Sequence, residues 1–298
     1  MTKDKRTYDV LIDVWNKAEP YFKFLLSRVV KSLPATRDPW RVAPDDKKQK
    51  VHVLAGSRES EIAVFPNAIA MGSPASGGMA EGGKLALIAA VPTLALLAAS
   101  LMALSYGMIF LFIFGIIIFV FVSMTIVWAI KSWLCSPFDW PVIFNRKSRT
   151  ITWVPVIRFP YWKFWVTKLT PQWRTASWDD VRARSYKYMQ STTGGYGFHD
   201  SYSLFLLWGG AEGDPRSLDQ AVSIGYQGYF EDELLWMLWE HIRRYMEEDG
   251  PAIPHGETLR PLGKGRPIVY PPEVIETCGG PPLSIQEVEE IAAAAPLD

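Results

Sequence analysis

The chain has 298 residues, 49% of them hydrophobic and 21% charged, enough for two modest domains. Lys plus Arg and Asp plus Glu each total 31, so the balance is neutral and gives no overall electrostatic case for a nucleic-acid partner. The two cysteines, Cys135 and Cys278, make neither a CxxC pair nor a disulfide framework and suit a reducing compartment, and the charged opening MTKDKRTYD does not read as a signal peptide.

The first predicted element is a helix over residues 7–32. Tyr8, Leu11, Trp15, Ala18, Phe22, Leu25 and Val29 recur at spacings of three and four and build one apolar stripe, which Pro20 kinks or divides. Trp15 and Phe22 among Lys17, Lys23, Arg28 and Lys31 suit a membrane surface. Val10, Ile12 and Val14 widen the apolar face and favour packing against another part of the chain. A polar loop follows at 39–50, then short strands at 51–54 and 61–65, so that residues 1–72 read as an N-terminal, largely helical cytoplasmic region. Residues 73–84, SPASGGMAEGGK, have the composition of a flexible linker. Leu85 follows Lys84 where a phosphate-binding loop needs Ser or Thr, so these glycines do not form one.

Residues 85–130 contain no Asp, Glu, Lys, Arg or His. A helix needs about 20 apolar residues to cross a bilayer, so this run supplies two crossings, within a hairpin of residues 85–134. The first covers 85–104, from Leu85 through Pro92. The second covers 108–130, with Phe112, Gly115 and Trp128 along it. Ser105, Tyr106 and Gly107 mark the break between them. Pro92 is tolerated where a neighbouring helix re-satisfies the freed carbonyl. Lys84 precedes the first span, and Lys131, Arg146, Lys147 and Arg149 follow the second, while the turn is uncharged. The positive-inside rule then places both termini in the cytoplasm.

Beyond the hairpin the period changes to two. Strands are predicted at 142–145, 150–154, 161–169, 180–189, 201–208 and 220–226, with turn-like TTGGYG and GGAEGDP stretches between them. One strong helix, 231–248, carries Leu234, Leu235, Leu238, Ile242, Tyr245 and Met246 on one stripe and ends at Gly250-Pro251. Trp236 and Trp239 fall off that stripe and face a second surface. Residues 136–249 thus form a second cytoplasmic domain. The tail, 250–298, is Pro/Gly-rich to residue 282 and not expected to pack. Ser284 to Glu287 form a capping box ahead of a short acidic helix that is expected to fray.

A meander of strands closed by one amphipathic helix is the order of a pleckstrin-homology-like domain. The two spans, P-V-I-F-N-R-K at 141–147, W-D-D at 178–180 and E-L-L-W-M-L-W-E-H-I-R at 233–243 resemble a family of poorly characterised bacterial two-pass membrane proteins, some encoded near type VI secretion genes. The resemblance covers roughly residues 85–248. It implies an α+β membrane protein, a transmembrane α-helical hairpin followed by a cytoplasmic pleckstrin-homology-like β-barrel capped by an α-helix. Its motifs are structural, and no functional residue carries over from them.

The histidines His52, His199, His241 and His255 lack metal-ligand spacing, and there is no GxSxG elbow or HExxH motif. His199, Asp200 and Ser201 are adjacent in an extended stretch and alternate between faces. The expectation is a non-enzymatic protein without cofactors. Its best candidate site is the basic group Arg146, Lys147 and Arg149, in the first hairpin loop of the domain and close in sequence to the bilayer. Each such charge contributes about 1 kcal/mol near an anionic surface. The function that follows is an inner-membrane protein binding lipid or protein partners, an immunity or accessory factor of a type VI secretion-linked toxin system. Its partners would be membrane lipids, a cognate toxin or secretion protein, and a second copy of the chain. The alternative is a pore-forming toxin that inserts its hairpin, against which stands the lack of amphipathic helices to hide that hairpin in water.

Overall fold

The computed structural model describes residues 9–22, 38–73, 77–135, 137, 139–155, 161, 171–191, 197–210, 216–229, 232–261 and 269–297. Two antiparallel sheets organise them. One has the order β2-β3-β4-β5-β6, formed by Glu61–Phe65, Ala68–Ser73, Trp140–Asn145, Thr150–Trp153 and Arg174–Ser177. The other has the order β1-β7-β8-β9, formed by Arg41–Val42, Arg182–Ser191, Phe198–Gly209 and Leu218–Tyr229. The helices α1 (Gly77–Ser105) and α2 (Ile109–Cys135) lie between β3 and β4, and α3 (Glu233–Glu247) follows β9. Two short helices, α4 (Pro272–Thr277) and α5 (Ile285–Ala294), complete the chain.

The helical hairpin is an insertion within a sheet. β3 and β4 pair along their whole length, from Ala68 opposite Asn145 to Ser73 opposite Trp140. The residues before and after the hairpin therefore build one domain, where the sequence suggested two separate regions. β3 is buried at every position. Ile69 and Met71 point to the main core with Val142, Phe144 and Trp153, while Ala68 and Ala70 face a second cluster with Ile143, Val274 and Cys278.

The main core lies between the sheets and under α3. Leu204, Leu206, Trp208, Val222 and Ile224 enter it from β8 and β9, and Leu235, Leu238, Ile242 and Tyr245 from α3. Trp153 stacks on Trp208 at 4.7 Å, and Trp178 lies 5.3 Å from Trp239. Trp236 and Trp239 are also buried in this core, so α3 has no second outward apolar face. Residues 48–57 cover its other side: Val51 N–H donates to Glu240, Arg243 reaches the Lys47 and Lys48 carbonyls, and Gly56 N–H donates to the Met237 carbonyl.

The N-terminal helix expected at 7–32 is not formed over residues 9–22, which hold one strand bridge and several bends. Leu11 N–H donates to the Val51 carbonyl, Val53 N–H to the Asp9 carbonyl, and Val10 bridges His52. The alternation that widened the supposed helical face is the cause: Val10 and Ile12 pack on the core while Leu11 is exposed. The remainder of that predicted helix lies outside the described residues. The strand expected at 51–54 reduces to the single bridge at His52. Of the strand expected at 161–169, only Tyr161 is among the described residues.

The tail is also packed, contrary to its composition. Arg260 N–H donates to the Glu61 carbonyl and Leu283 N–H to the Val64 carbonyl, so the tail covers the open edge of β2. Ile253, Val288 and Ala292 enclose Val64. The capping box at Ser284 and Glu287 forms as the sequence indicated, and it starts a helix that docks rather than frays.

Two stretches, Ala86–Ser105 and Ile109–Ser132, are long and apolar enough to cross a membrane. Large apolar side chains on them are open, including Val91 at 72% and Phe110 at 78%, which an aqueous surface does not favour. Pro92 is exposed within α1, and Phe112 and Trp128 are half-buried on α2. Gly107 takes φ +74° in the turn, and Gly115 is where α2 meets α1: a Cβ there would overlap the Ser100 hydroxyl. Thr93 and Ser100 return their hydroxyl hydrogens to carbonyls four residues back, which satisfies them within the helix. Leu85 lies inside α1, which begins at Gly77, so most of the expected linker is helical. Extending a helix already nucleated adds one hydrogen bond per residue and offsets the cost of its glycines.

Trp236→Ala should lower stability by about 3–5 kcal/mol as a large-to-small core change. Val288→Asp should lower it too, since it buries a charge against Val64 and Ile253. Thermal denaturation of the detergent-solubilised chain checks both, and an unaffected Val288→Asp protein would mean the tail does not contribute to the fold.

Candidate functional site

Arg146, Lys147 and Arg149 occupy the tight turn between β4 and β5, where Asn145 Oδ1 accepts from the amides of Lys147 and Ser148. Only Lys147 is a plainly exposed cation. The Arg146 guanidinium lies 4.9 Å from the centre of the Tyr245 ring. Arg149, at φ +53°, donates to Asp179 at 2.5 Å and to Glu247 at 2.9 Å. Those bonds raise the Arg149 pKa, and the bond from Arg149 lowers that of Asp179. Burial pushes Glu247 upward, but bonds from Arg149 and the Trp178 ring N–H outweigh it and hold the carboxyl below its ordinary value. Lys47 reaches over the Trp178 ring and donates to the Asp179 carbonyl. Two of the three predicted cations thus tie the turn to α3 and to the β6–β7 corner.

Position changes the reading further. The turn lies at the Asn145 end of β4, whereas α2 joins the sheet at the Trp140 end. Six residues of strand, about 20 Å, separate them. Closeness in sequence to the bilayer is not closeness in space.

The opposite end of the strand, the root of the hairpin, holds a different set of groups. Asp139 pairs with Arg260 of the tail at 2.9 Å, and both lie against Gly72. Burial raises the Asp139 pKa from its ordinary 3.8 to about 6, and Arg260 only partly opposes the shift. Thr125 of α2 shares a 2.7 Å hydrogen bond with the hydroxyl of Tyr161, and Phe121 and Trp128 flank that ring at 6.2 and 5.9 Å.

A third group escaped the sequence reading. Glu61 is wholly buried, and neither carboxyl oxygen has a hydrogen-bond partner within the described residues. Burial, then the charge of Glu257, push its pKa well up. His241 Nε2 stands 3.6 Å from its carboxylate, beyond hydrogen-bond distance. Glu257 accepts from the Ser57 hydroxyl and from the amides of Ser57 and Arg58. A cavity of about 290 Å³ has His241, Arg244, His255 and Glu257 in its walls. Among the described residues no group of three His, Cys, Asp or Glu is arranged to hold a metal ion. The only sequence signal for this cluster was a charge opening an apolar strand, EIAVF, and its partners come from 180 residues or more downstream.

Residues 116–268, just over half of the chain, match the profile of a family of unknown function, DUF6708. The matched stretch begins inside α2 and runs past α3, leaving out the β1–β3 strands that complete both sheets. Among curated proteins and solved structures alike, nothing matches the chain.

Glu247→Ala should cost about 1–3 kcal/mol by leaving the Trp178 ring N–H without its acceptor, whereas Lys147→Ala should stay within about 0.5 kcal/mol. Equal losses in thermal denaturation would contradict the division of roles in this turn. Asp139 makes a prediction in pH. Its raised folded-state pKa stabilises the fold fully below 3.8, and the contribution is lost as pH rises through about 6. Asp139→Asn should flatten the melting temperature across that window, and an unchanged slope would remove Asp139 as its source.

Proposed function

As the chain belongs to the DUF6708 family, whose description leaves function open, we propose from its geometry that it is a non-enzymatic bacterial inner-membrane protein. It presents a pleckstrin-homology-like cytoplasmic domain to a lipid or protein partner. The observation that carries this reading is the insertion of two apolar, membrane-length helices between β3 and β4. A hairpin whose two ends pair as neighbouring strands crosses the bilayer an even number of times. Lys131 at the end of the second span, with the basic residues of the domain, favours the cytoplasmic side. Two three-stranded meanders, β4-β5-β6 and β7-β8-β9, closed by α3 support the pleckstrin-homology-like assignment.

Within that reading the domain is the recognition element and the hairpin its anchor. The role we propose is an immunity or accessory factor of a type VI secretion-linked toxin system, with a cognate toxin or a secretion component as partner.

Reporter fusions at both termini should give cytoplasmic signal only, and a periplasmic signal at one end would contradict an even number of crossings. Expression should protect cells from a toxin encoded beside the gene and do no harm alone. Protection should survive replacement of residues 85–130 by an unrelated two-pass hairpin. Growth arrest and dye leakage on expression alone would overturn the immunity role in favour of a pore.

A further inference from the structure

The connection from β5 to β6 leaves and re-enters the sheet at the root of the hairpin. Trp153, the last residue of β5, pairs with Val142, and Arg174 pairs with Trp153. Val142 lies two residues from Trp140, where β4 begins after α2. From this end the chain carries Tyr161 onto α2, where it meets Phe121, Thr125 and Trp128. Thr125 lies ten residues before Cys135, about 15 Å along the helix axis from its end. It also lies within the apolar stretch Ile109–Ser132, seven residues before its close, about 10 Å inside.

We propose that Tyr161 is a membrane-interface anchor that ties the cytoplasmic domain to phospholipid beside α2. The inference rests on the reading of the hairpin as membrane-spanning. The 24 residues of that span cover about 36 Å against a hydrocarbon core of about 30 Å, so Thr125 stands about 7 Å inside the edge of the hydrocarbon. A tyrosine reaching it from the domain side spans that depth with its ring, which is apolar, and its polar tip then needs a partner. Here the tip has one: Thr125 supplies it and satisfies its own hydroxyl on the Phe121 carbonyl. That gives a reason for a threonine on an open face of this helix. The sequence around Tyr161 has the matching character, with Phe159, Trp162, Phe164 and Trp165 among Arg158, Lys163 and Lys168.

The partner is the lipid surface on the side of the domain. It is engaged at the hairpin root, while the basic turn of Arg146 to Arg149 points to the far end of β4.

The test uses the full chain in phosphatidylcholine–phosphatidylglycerol vesicles. Cys135→Ser and Cys278→Ala leave single nitroxides at Tyr161→Cys, Val120→Cys or Lys147→Cys, read by power saturation with oxygen and a nickel chelate. The position-161 label should be several-fold more accessible to oxygen relative to nickel than the position-147 label, and approach position 120. A benzophenone amino acid at 161, which keeps an aromatic ring, should cross-link to acyl chains or to α2. A label at 161 in water while that at 120 is in lipid, with no lipid or α2 cross-link, would overturn the anchor and leave the spanning hairpin intact. Both labels in water would overturn the spanning reading and the anchor with it.

Discussion

Everything in this molecule depends on the pairing of β3 with β4 across the helical hairpin. Six register pairs close the centre of a five-stranded sheet with two strands that have 66 residues between them in sequence, from Ser73 to Trp140. A strand buried on both faces must have its backbone donors and acceptors filled, and β3 finds them in β2, in β4 and, for the Gly72 N–H, in the Ser60 carbonyl just before β2. The chain is therefore bound to return to where it left. The hairpin is held at both ends by the same sheet, and the hairpin and the domain form a single unit.

That constraint gives the domain two distinct ends. At the root of the hairpin are Asp139, Arg260 and Gly72, with Tyr161 lying along α2. At the other end of β4 is the basic turn, whose arginines are engaged by Glu247, Asp179 and the Tyr245 ring. A polybasic surface acts through open charge near the bilayer. The Arg146 and Arg149 charges are engaged at the end of β4 away from the helical hairpin, and their contacts with α3 fasten the closing helix to the first β-hairpin. The tail adds a third fastening, from the β2 edge to the hairpin root through Arg260.

Local patterns in the sequence carried much of this. β2 matches its predicted 61–65 limits, α3 lies within its predicted helix, both apolar spans are present, and the Ser284 capping box forms as expected. What stayed hidden was set at long range. β3, AIAMGS, is buried on both faces and so shows no alternation, and its glycine and serine ran on into an apparent linker. The pairing of residues 9–11 with the stretch from Val51 to Val53 holds this segment out of a helix, which an apolar count over the segment cannot see. The tail's prolines and glycines described a disordered composition, yet its backbone amides find partners in an edge strand two hundred residues earlier. The arginine turn was legible as a cluster of charge, but its acceptors lie 30 and 98 residues downstream. Glu61 and His241 meet for the same reason, and neither shows in any motif.

The most direct measurement is amide hydrogen exchange, read by mass spectrometry on the full chain in lipid nanodiscs. If β3 pairs with β4 around an inserted hairpin, peptides covering 68–73 should be as slow to exchange as those covering 140–145. Both should also lose protection together when Phe144→Pro removes a donor and strains the ladder between them. Exchange of 68–73 at the rate of an open chain, beside a protected 140–145, would show two separate regions joined only through the membrane and would contradict the account.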